Sequence, residues 1–295
     1  MKKTLITGAS GGLGGAVATF LKEKSGADNI SVLVRNGECD KAKEYRERGF
    51  EVRVGDYGKY TSLAKAFEGI EVLYFVSGND IEGRTRQHEN VVKAAKAREV
   101  KHVLYTSMVR GDESPKAPLY PVISGHIKTE EWIRDAGFTY TFLRHNLYGE
   151  VIPLFSGEKE RLSRSRTIYL PARGGRAAFV PREELARAGA AILTETEAHE
   201  NKTYELNGSE TLTFNQIAEL ISAIIKEKVV YVSPEPKEFE KALIAQRVPE
   251  SLIEVASMFG QAIAKGEFDR QNDDLELILG RKPQSITDFL QKIYS

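Results

Sequence analysis

The sequence predicts an α/β protein built on a doubly wound, mainly parallel sheet, with a smaller and mostly helical C-terminal lobe. Three observations predict it. Short β-rich runs alternate with helical patterns through the first half of the chain. Those runs are apolar nearly throughout, as suits strands buried on both faces. The alternation then stops after Arg144. Strand–helix alternation at this pitch fits right-handed crossovers onto one parallel sheet.

The strand runs are "KTLITG" (3–8), "ISVLVR" (30–35), "FEVRVGD" (50–56), "EVLYFVS" (71–77), "KHVLYTS" (101–107) and "TYTFLR" (139–144), each bounded by turn residues. Between them lie the helical patterns "GLGGAVATFLKEK", "DKAKEYRER", "TSLAKAFEG", "TRQHENVVKAAKARE" and "GHIKTEEWIRDAG". The stretch 156–176, "SGEKERLSRSRTIYLPARGGR", is basic, turn-rich and weakly periodic, and predicts a loop with one short strand. "PREELARAGAAILTE" (181–195) opens with Pro181 and acidic residues, as helix N-termini prefer, and "KTYELNG" follows as a strand. Thr213 and Gln216 make a capping-box pattern ahead of the stripe Phe214, Ile217, Leu220, Ile221 and Ile224. These breaks predict a nucleotide-binding domain at 1–147, to which 177–208 return, and a smaller substrate lobe at 148–295 lying over the carboxyl ends of the sheet.

At 295 residues the chain has ample length for a core. It is 41% hydrophobic and 28% charged, the composition of a soluble globular protein. Lysine plus arginine and aspartate plus glutamate number 42 each, so no global field draws the chain to nucleic acid or anionic membrane. One cysteine, Cys39, forbids an internal disulfide and fits a reducing compartment. No signal peptide or membrane-length apolar run is recognised, so a cytoplasmic location is expected. The histidines show no metal-ligand spacing, and no metal site is expected. Arg161, Arg164, Arg166, Arg173 and Arg176 read as a solvated loop or as a weak attraction for an anionic ligand.

"TGASGGLGG" places Gly8, Gly11 and Gly14 between the first strand and the first helix. Glycines there permit a tight turn and let backbone N–H groups and the helix N-terminus approach a pyrophosphate. In this context the loop reads as a dinucleotide site of Rossmann type, against the plainer alternative of a flexible turn. The second strand ends in Arg35, where an NAD-preferring fold puts an acid, so a 2′-phosphate and NADPH are favoured over a bystander surface arginine. Asp56 borders the adenine or is only a turn. Ser77 and Gly78 close the fourth strand with small residues, where a cofactor would lie close.

Taken together, "TGASGGLGG", "VRN", "GDY", "QHENVVKAAK" (87–96), "YTS" (105–107), "HIKTE" (126–130), "TFLRHNLY" (141–148), "HENKTYEL" (199–206) and "AKGEFD" (264–269) span the chain in one order. In these the chain resembles the NmrA-like, atypical short-chain dehydrogenase/reductases, and among them the bacterial NADPH:quinone oxidoreductase type 2 and triphenylmethane reductase group. The resemblance implies a Rossmann domain carrying NADPH and a substrate cleft roofed by the C-terminal lobe. It implies that Gly8, Ser10, Gly11, Gly12, Leu13 and Gly14 meet the phosphates and that Arg35 meets the 2′-phosphate. Ser77 and Gly78 would line the middle of the cofactor, and Thr106 and Ser107 the nicotinamide ribose. His126, Arg144 and Tyr148 fall at cleft positions. Arg144 counts among the cofactor contacts, and His126, Tyr148 and Ser107 are the candidates for chemistry. One departure stands out: the family's Leu-Arg-Asn is here Leu143-Arg144-His145, with the asparagine displaced to Asn146.

Tyrosine-driven carbonyl reduction needs a Tyr-x-x-x-Lys pair in register. Four residues beyond Tyr120 stands Ser124, and Tyr120 precedes Pro121, which predicts a place before the helix rather than on it. His126 and Glu130, one turn apart, share a face and are positioned to touch each other. His126 is either a proton source or a structural hydrogen-bonder. Quinones and triarylmethane cations accept hydride with little proton help, so positioning over the nicotinamide would suffice. Tyr148, Val151, Ile152, Leu154 and Phe155 form the cleft wall or belong to the lobe core. The expected activity is an NADPH-dependent reductase without flavin, acting on a small aromatic electron acceptor such as a quinone or dye. The alternative is a non-catalytic NADP(H)-binding redox sensor of NmrA type. A sugar-nucleotide epimerase is disfavoured by the missing pair, and the sequence leaves monomer or homodimer open.

Overall fold

The computed structural model describes residues 1–295. The first half runs β1 (Thr4–Ile6), α1 (Gly12–Ser25), β2 (Ile30–Val34), α2 (Asp40–Glu47), β3 (Glu51–Val54), α3 (Tyr60–Ala66), β4 (Val72–Phe75), α4 (Arg84–Ala97), β5 (His102–Met108), α5 (Tyr120–Asp135) and β6 (Thr139–His145). The second half runs α6 (Ile152–Ser156), α7 (Lys159–Ser165), β7 (Thr167–Tyr169), β8 (Arg176–Ala177), α8 (Arg182–Thr194), β9 (Lys202–Leu206), β10 (Leu212–Thr213), α9 (Phe214–Ile225), β11 (Val230–Val232), α10 (Pro236–Ala245), α11 (Glu250–Ala264), α12 (Asp274–Leu279) and α13 (Ile286–Tyr294). No helix is long and apolar enough to cross a membrane.

Seven parallel strands form one sheet in the order β3-β2-β1-β4-β5-β6-β9. The order reverses between β1 and β4, and in open α/β sheets ligands bind at the carboxyl ends of strands at such a reversal. Successive side chains of each strand face opposite sides. Leu5, Leu73, Phe75, Val103, Tyr105 and Phe142 pack under α3, α4 and α5. Ile6, Val32, Tyr74, Leu104 and Leu143 pack under α1, α2 and α8. Each fully buried large aliphatic contributes about 1.5–3 kcal/mol relative to exposure. The fit under α8 is close: a Cβ at Gly189 would fall 2.5 Å from the Tyr74 hydroxyl.

Beyond residue 148 the chain contributes both to this sheet, through α8 and β9, and to a separate apolar core. That core gathers Ile168, Phe179, Phe214, Ile217, Phe239, Ile263, Phe268 and Leu290. Two short ladders, β7 with β11 and β8 with β10, brace it. The capping box expected at Thr213 and Gln216 is formed, with Gln216 N–H donating to the Thr213 hydroxyl.

Two local expectations are corrected. Residues 159–165 form α7 rather than loop; only Leu162 of its seven residues is buried, so no apolar stripe betrayed the helix. Helix α5 begins at Tyr120, with Pro121 inside its first turn. Proline is tolerated there because the N–H it lacks has no intrahelical partner anyway.

Candidate active site

The cofactor end is built from backbone. Gly8 has φ +62°, and a Cβ there would sit 3.0 Å from Val76 Cβ. A Cβ on Gly14 would fall 2.6 Å from the carbonyl oxygens of Thr7 and Gly8, so only glycine lets α1 start this close to β1. Below the loop, the Thr7 hydroxyl donates to Tyr74 O and accepts from Val76 N–H, while the Tyr57 hydroxyl donates to Val76 O at 2.8 Å. These bonds lock β1 to β4 at the switch point. Gly11 caps α1 without a side-chain cap, no acid stands in the first turn, and Ser10, Gly11 and Gly12 are exposed. Leu13 is buried and pins the helix to the sheet. The loop therefore presents unsatisfied N–H groups at the positive end of a helix dipole.

Arg35 lies exposed just beyond β2. The half-buried Asp56 carboxylate accepts from Gly58 N–H at 2.8 Å and closes a turn. Ser77 N–H donates to the Thr106 hydroxyl at 2.9 Å, so Thr106 braces the end of β4. Gly78 is held from both sides: its N–H donates to His88 Nε2 at 2.9 Å and its carbonyl accepts from Arg84 Nε at 2.8 Å. Arg182, which no motif in the sequence marks, reaches from the start of α8 onto the loop. A Cβ on Gly12 would lie 2.8 Å from its guanidinium, which also stacks over the Tyr148 ring at 5.1 Å.

At the cleft end the expected contact between His126 and Glu130 is not made. Glu130, 1% exposed, turns instead to arginines. Arg110 donates to both its oxygens at 3.1 and 3.0 Å, Arg144 does so at 3.1 and 2.7 Å, and the Ser107 hydroxyl donates at 2.6 Å. Burial pushes the carboxyl upward, but the bonds and charges of Arg144 and Arg110 outweigh it and hold it near 2. Ser107 and Arg144 are thus engaged with Glu130, a place that spacing alone did not indicate.

His126 is 5% exposed and faces the other way along α5, with its Nδ1 2.7 Å from the Tyr105 hydroxyl. Tyr105 lies 3.4 Å from His88 Nδ1, and that nitrogen is 2.9 Å from the Thr129 hydroxyl. Burial, with Arg84 nearby, drives the His126 pKa well below 6.5 and that of His88 to about 3. Both rings are neutral. His145, where the family has asparagine, is 3% exposed, its Nδ1 3.1 Å from the Tyr148 hydroxyl and its Nε2 without a partner. Burial lowers its pKa to about 3 and raises that of Tyr148 to about 12. Asn146 is structural: its amide donates to Asn207 Oδ1 at 2.8 Å and to Phe268 O at 3.2 Å, tying sheet to lobe. Of the wall residues, Ile152 is in the lobe core, Val151 and Phe155 pack on it, and Leu154 points to solvent. The "AKGEFD" stretch also gains a function: the buried Glu267 carboxylate accepts from the N–H groups of Gly111 at 2.7 Å and Asp112 at 3.1 Å, clamping the loop after β5.

A glycine loop at a switch point, beside buried polar side chains on β5, β6 and α5, marks a nucleotide-binding α/β protein without a Tyr–Lys pair in register. The NmrA-like family model matches residues 1–290, and the chain belongs to that family. It is similar to quinone oxidoreductase 2 of Escherichia coli, with 30% identity covering 98% of each chain. Among solved structures, the triphenylmethane reductase of Citrobacter sp. complexed with NADP(H) is 37% identical with a TM-score of 0.87, covering 99% of each chain. The NADPH-dependent quinone oxidoreductase of E. coli complexed with NADPH is 29% identical with a TM-score of 0.90, covering 99% of this chain and 100% of that one.

Proposed function

We propose that the chain is an NADPH-dependent reductase that passes hydride directly to quinones or similar electrophilic aromatic acceptors. The observation that carries the acceptor class is at α5: the two positions spaced like a tyrosine–lysine pair hold a neutral His126 and a Glu130 locked by Arg110 and Arg144. Nothing there delivers a proton as a tyrosine–lysine pair does, so acceptors that need hydride more than proton transfer suit the cleft. Kinship with a quinone reductase and a dye reductase supports the same reading.

The residues present fit NADPH. Gly8 and Gly14 let α1 start against β1, which leaves the exposed Ser10, Gly11 and Gly12 and the helix N-terminus to meet phosphates, and the exposed Arg35 guanidinium suits a 2′-phosphate. Bound there, the cofactor supplies the hydride. The chain's own part is to hold it along Ser77 and Gly78, to set the acceptor against the face near His126, His145 and Tyr148, and to keep water out.

The test is purified protein with NADPH and a panel of quinones and dyes, followed by loss of reduced-nicotinamide absorbance. Turnover with at least one acceptor is expected; tight NADPH binding with no turnover of any acceptor overturns the reading and leaves the sensor alternative. Arg35→Ala is expected to weaken NADPH by about 1.5–3 kcal/mol, the range for a hydrogen bond to a charged group, and to leave NADH nearly unchanged. Equal weakening of both would make Arg35 structural.

A further inference from the structure

The proton positions around His126 follow from one backbone amide. Gly78 N–H donates to His88 Nε2, so that nitrogen carries no proton. A neutral His88 must then be protonated on Nδ1, which donates to the Thr129 hydroxyl at 2.9 Å, while that hydroxyl donates onward to Gly125 O at 2.6 Å. A protonated His88 Nδ1 cannot accept from Tyr105, which lies 3.4 Å away. Of the acceptors near the fully buried Tyr105 hydroxyl, the Thr129 oxygen is already taken by His88, and His126 Nδ1 makes the short contact, at 2.7 Å. The opposite arrangement would turn the hydroxyl proton away from this short contact onto an oxygen already engaged by His88, at a cost of about 1–3 kcal/mol. Tyr105 therefore donates, His126 Nδ1 accepts, and the ring proton of His126 sits on Nε2. That nitrogen makes no bond to the protein and, unlike His145 Nε2, is not sealed from its surroundings.

We infer that the series Gly78, His88, Tyr105 and His126 fixes His126 as a neutral Nε2–H donor to the acceptor's oxygen, making this cleft selective for quinones over acceptors reduced at a bare carbon. The inference rests on the reductase reading above. The chemistry balances simply. A quinone takes up the hydride with its electron pair, its oxygen becomes a phenolate, and water supplies the second proton. The Nε2–H bond strengthens as that oxygen gains charge, so it lowers the barrier without giving up its proton. A triarylmethane cation takes hydride on its central carbon, develops no anionic oxygen and gains nothing from the donor. His126 would touch the substrate; Tyr105 and His88 are positioning residues.

Two measurements test it on the full-length protein, with and without NADPH. Nitrogen-15 NMR of the labelled histidines should find His126 protonated on Nε2 alone, and Tyr105→Phe should release a mixture of tautomers. In parallel, turnover of 1,4-benzoquinone and of a cationic triarylmethane dye is compared. His126→Ala should lower quinone kcat by about a hundredfold, the scale of one lost oxyanion donor, and dye kcat by far less. Tyr105→Phe should lower it less, and His126→Gln, which keeps an N–H near Nε2, should restore most of it. A His126 protonated on Nδ1 overturns the inference, as does an equal loss on quinone and dye. If neither acceptor turns over, the reductase reading fails and the donor role with it, while the tautomer still stands or falls by NMR.

Discussion

Two polar clusters share helix α5 one turn apart, and they resolve the cost of burial in opposite ways. Glu130 is ionised, because Arg110 and Arg144 bring two guanidinium groups to it at hydrogen-bond distance. His126 is neutral because burial disfavours its charge and the charged groups that bear on it, Arg84 first, are cations with no carboxylate among them. Similar burial thus gives a fixed ionic knot at one position and an uncharged donor at the next. The difference teaches what four-residue spacing cannot: a shared helix face places two side chains near each other, and their partners on other elements decide whether they pair.

The comparison can be broken at its charged end first. Glu130→Ala leaves the buried Arg110 with the half-exposed Glu113 as its one carboxylate partner and should cost about 3–5 kcal/mol in urea unfolding, the scale for breaking a buried ion pair. A loss below about 1 kcal/mol would mean that water enters and replaces the carboxylate.

Acid should separate the two clusters more gently. His88 and His145 fall from 6.5 to about 3 on folding, so the unfolded chain binds more protons between those values. The stability they contribute is complete above pH 6.5 and drains as pH falls towards 3. Glu130, lowered from 4.5 to about 2, adds its own loss only below pH 4.5. Denaturation curves across pH 3–8 should therefore show stability declining before the carboxylate range is reached. A curve flat down to pH 4.5 would mean that the histidines are solvated.

Legibility followed the distance over which each feature is decided. The strand–helix alternation, the capping box at Thr213 and Gln216 and the glycine loop are settled within a few residues, and all were readable. Helix α7 was missed because it buries only Leu162, and the start of α5 because Pro121 reads as a break although a first turn accepts it. The cleft was readable only as a set of positions. Tyr105 meets His126 across 21 residues, Arg110 meets Glu130 across 20, and Gly111 meets Glu267 across 156. Nothing local to His88 in the sequence announces that it answers the Gly78 amide. The substitution at His145 was visible, but not its partner Tyr148 or the isolation of its Nε2.

The most direct test of a neutral donor at the cleft is the pH dependence of kcat for quinone reduction between pH 5.5 and 8. Because burial holds the His126 pKa well below its ordinary 6.5, the ring stays a neutral Nε2–H imidazole in this window, and kcat should be level. A kcat that falls as pH rises through about 6.5, with the fall abolished in His126→Gln, would show an imidazolium donating its proton and would contradict the account.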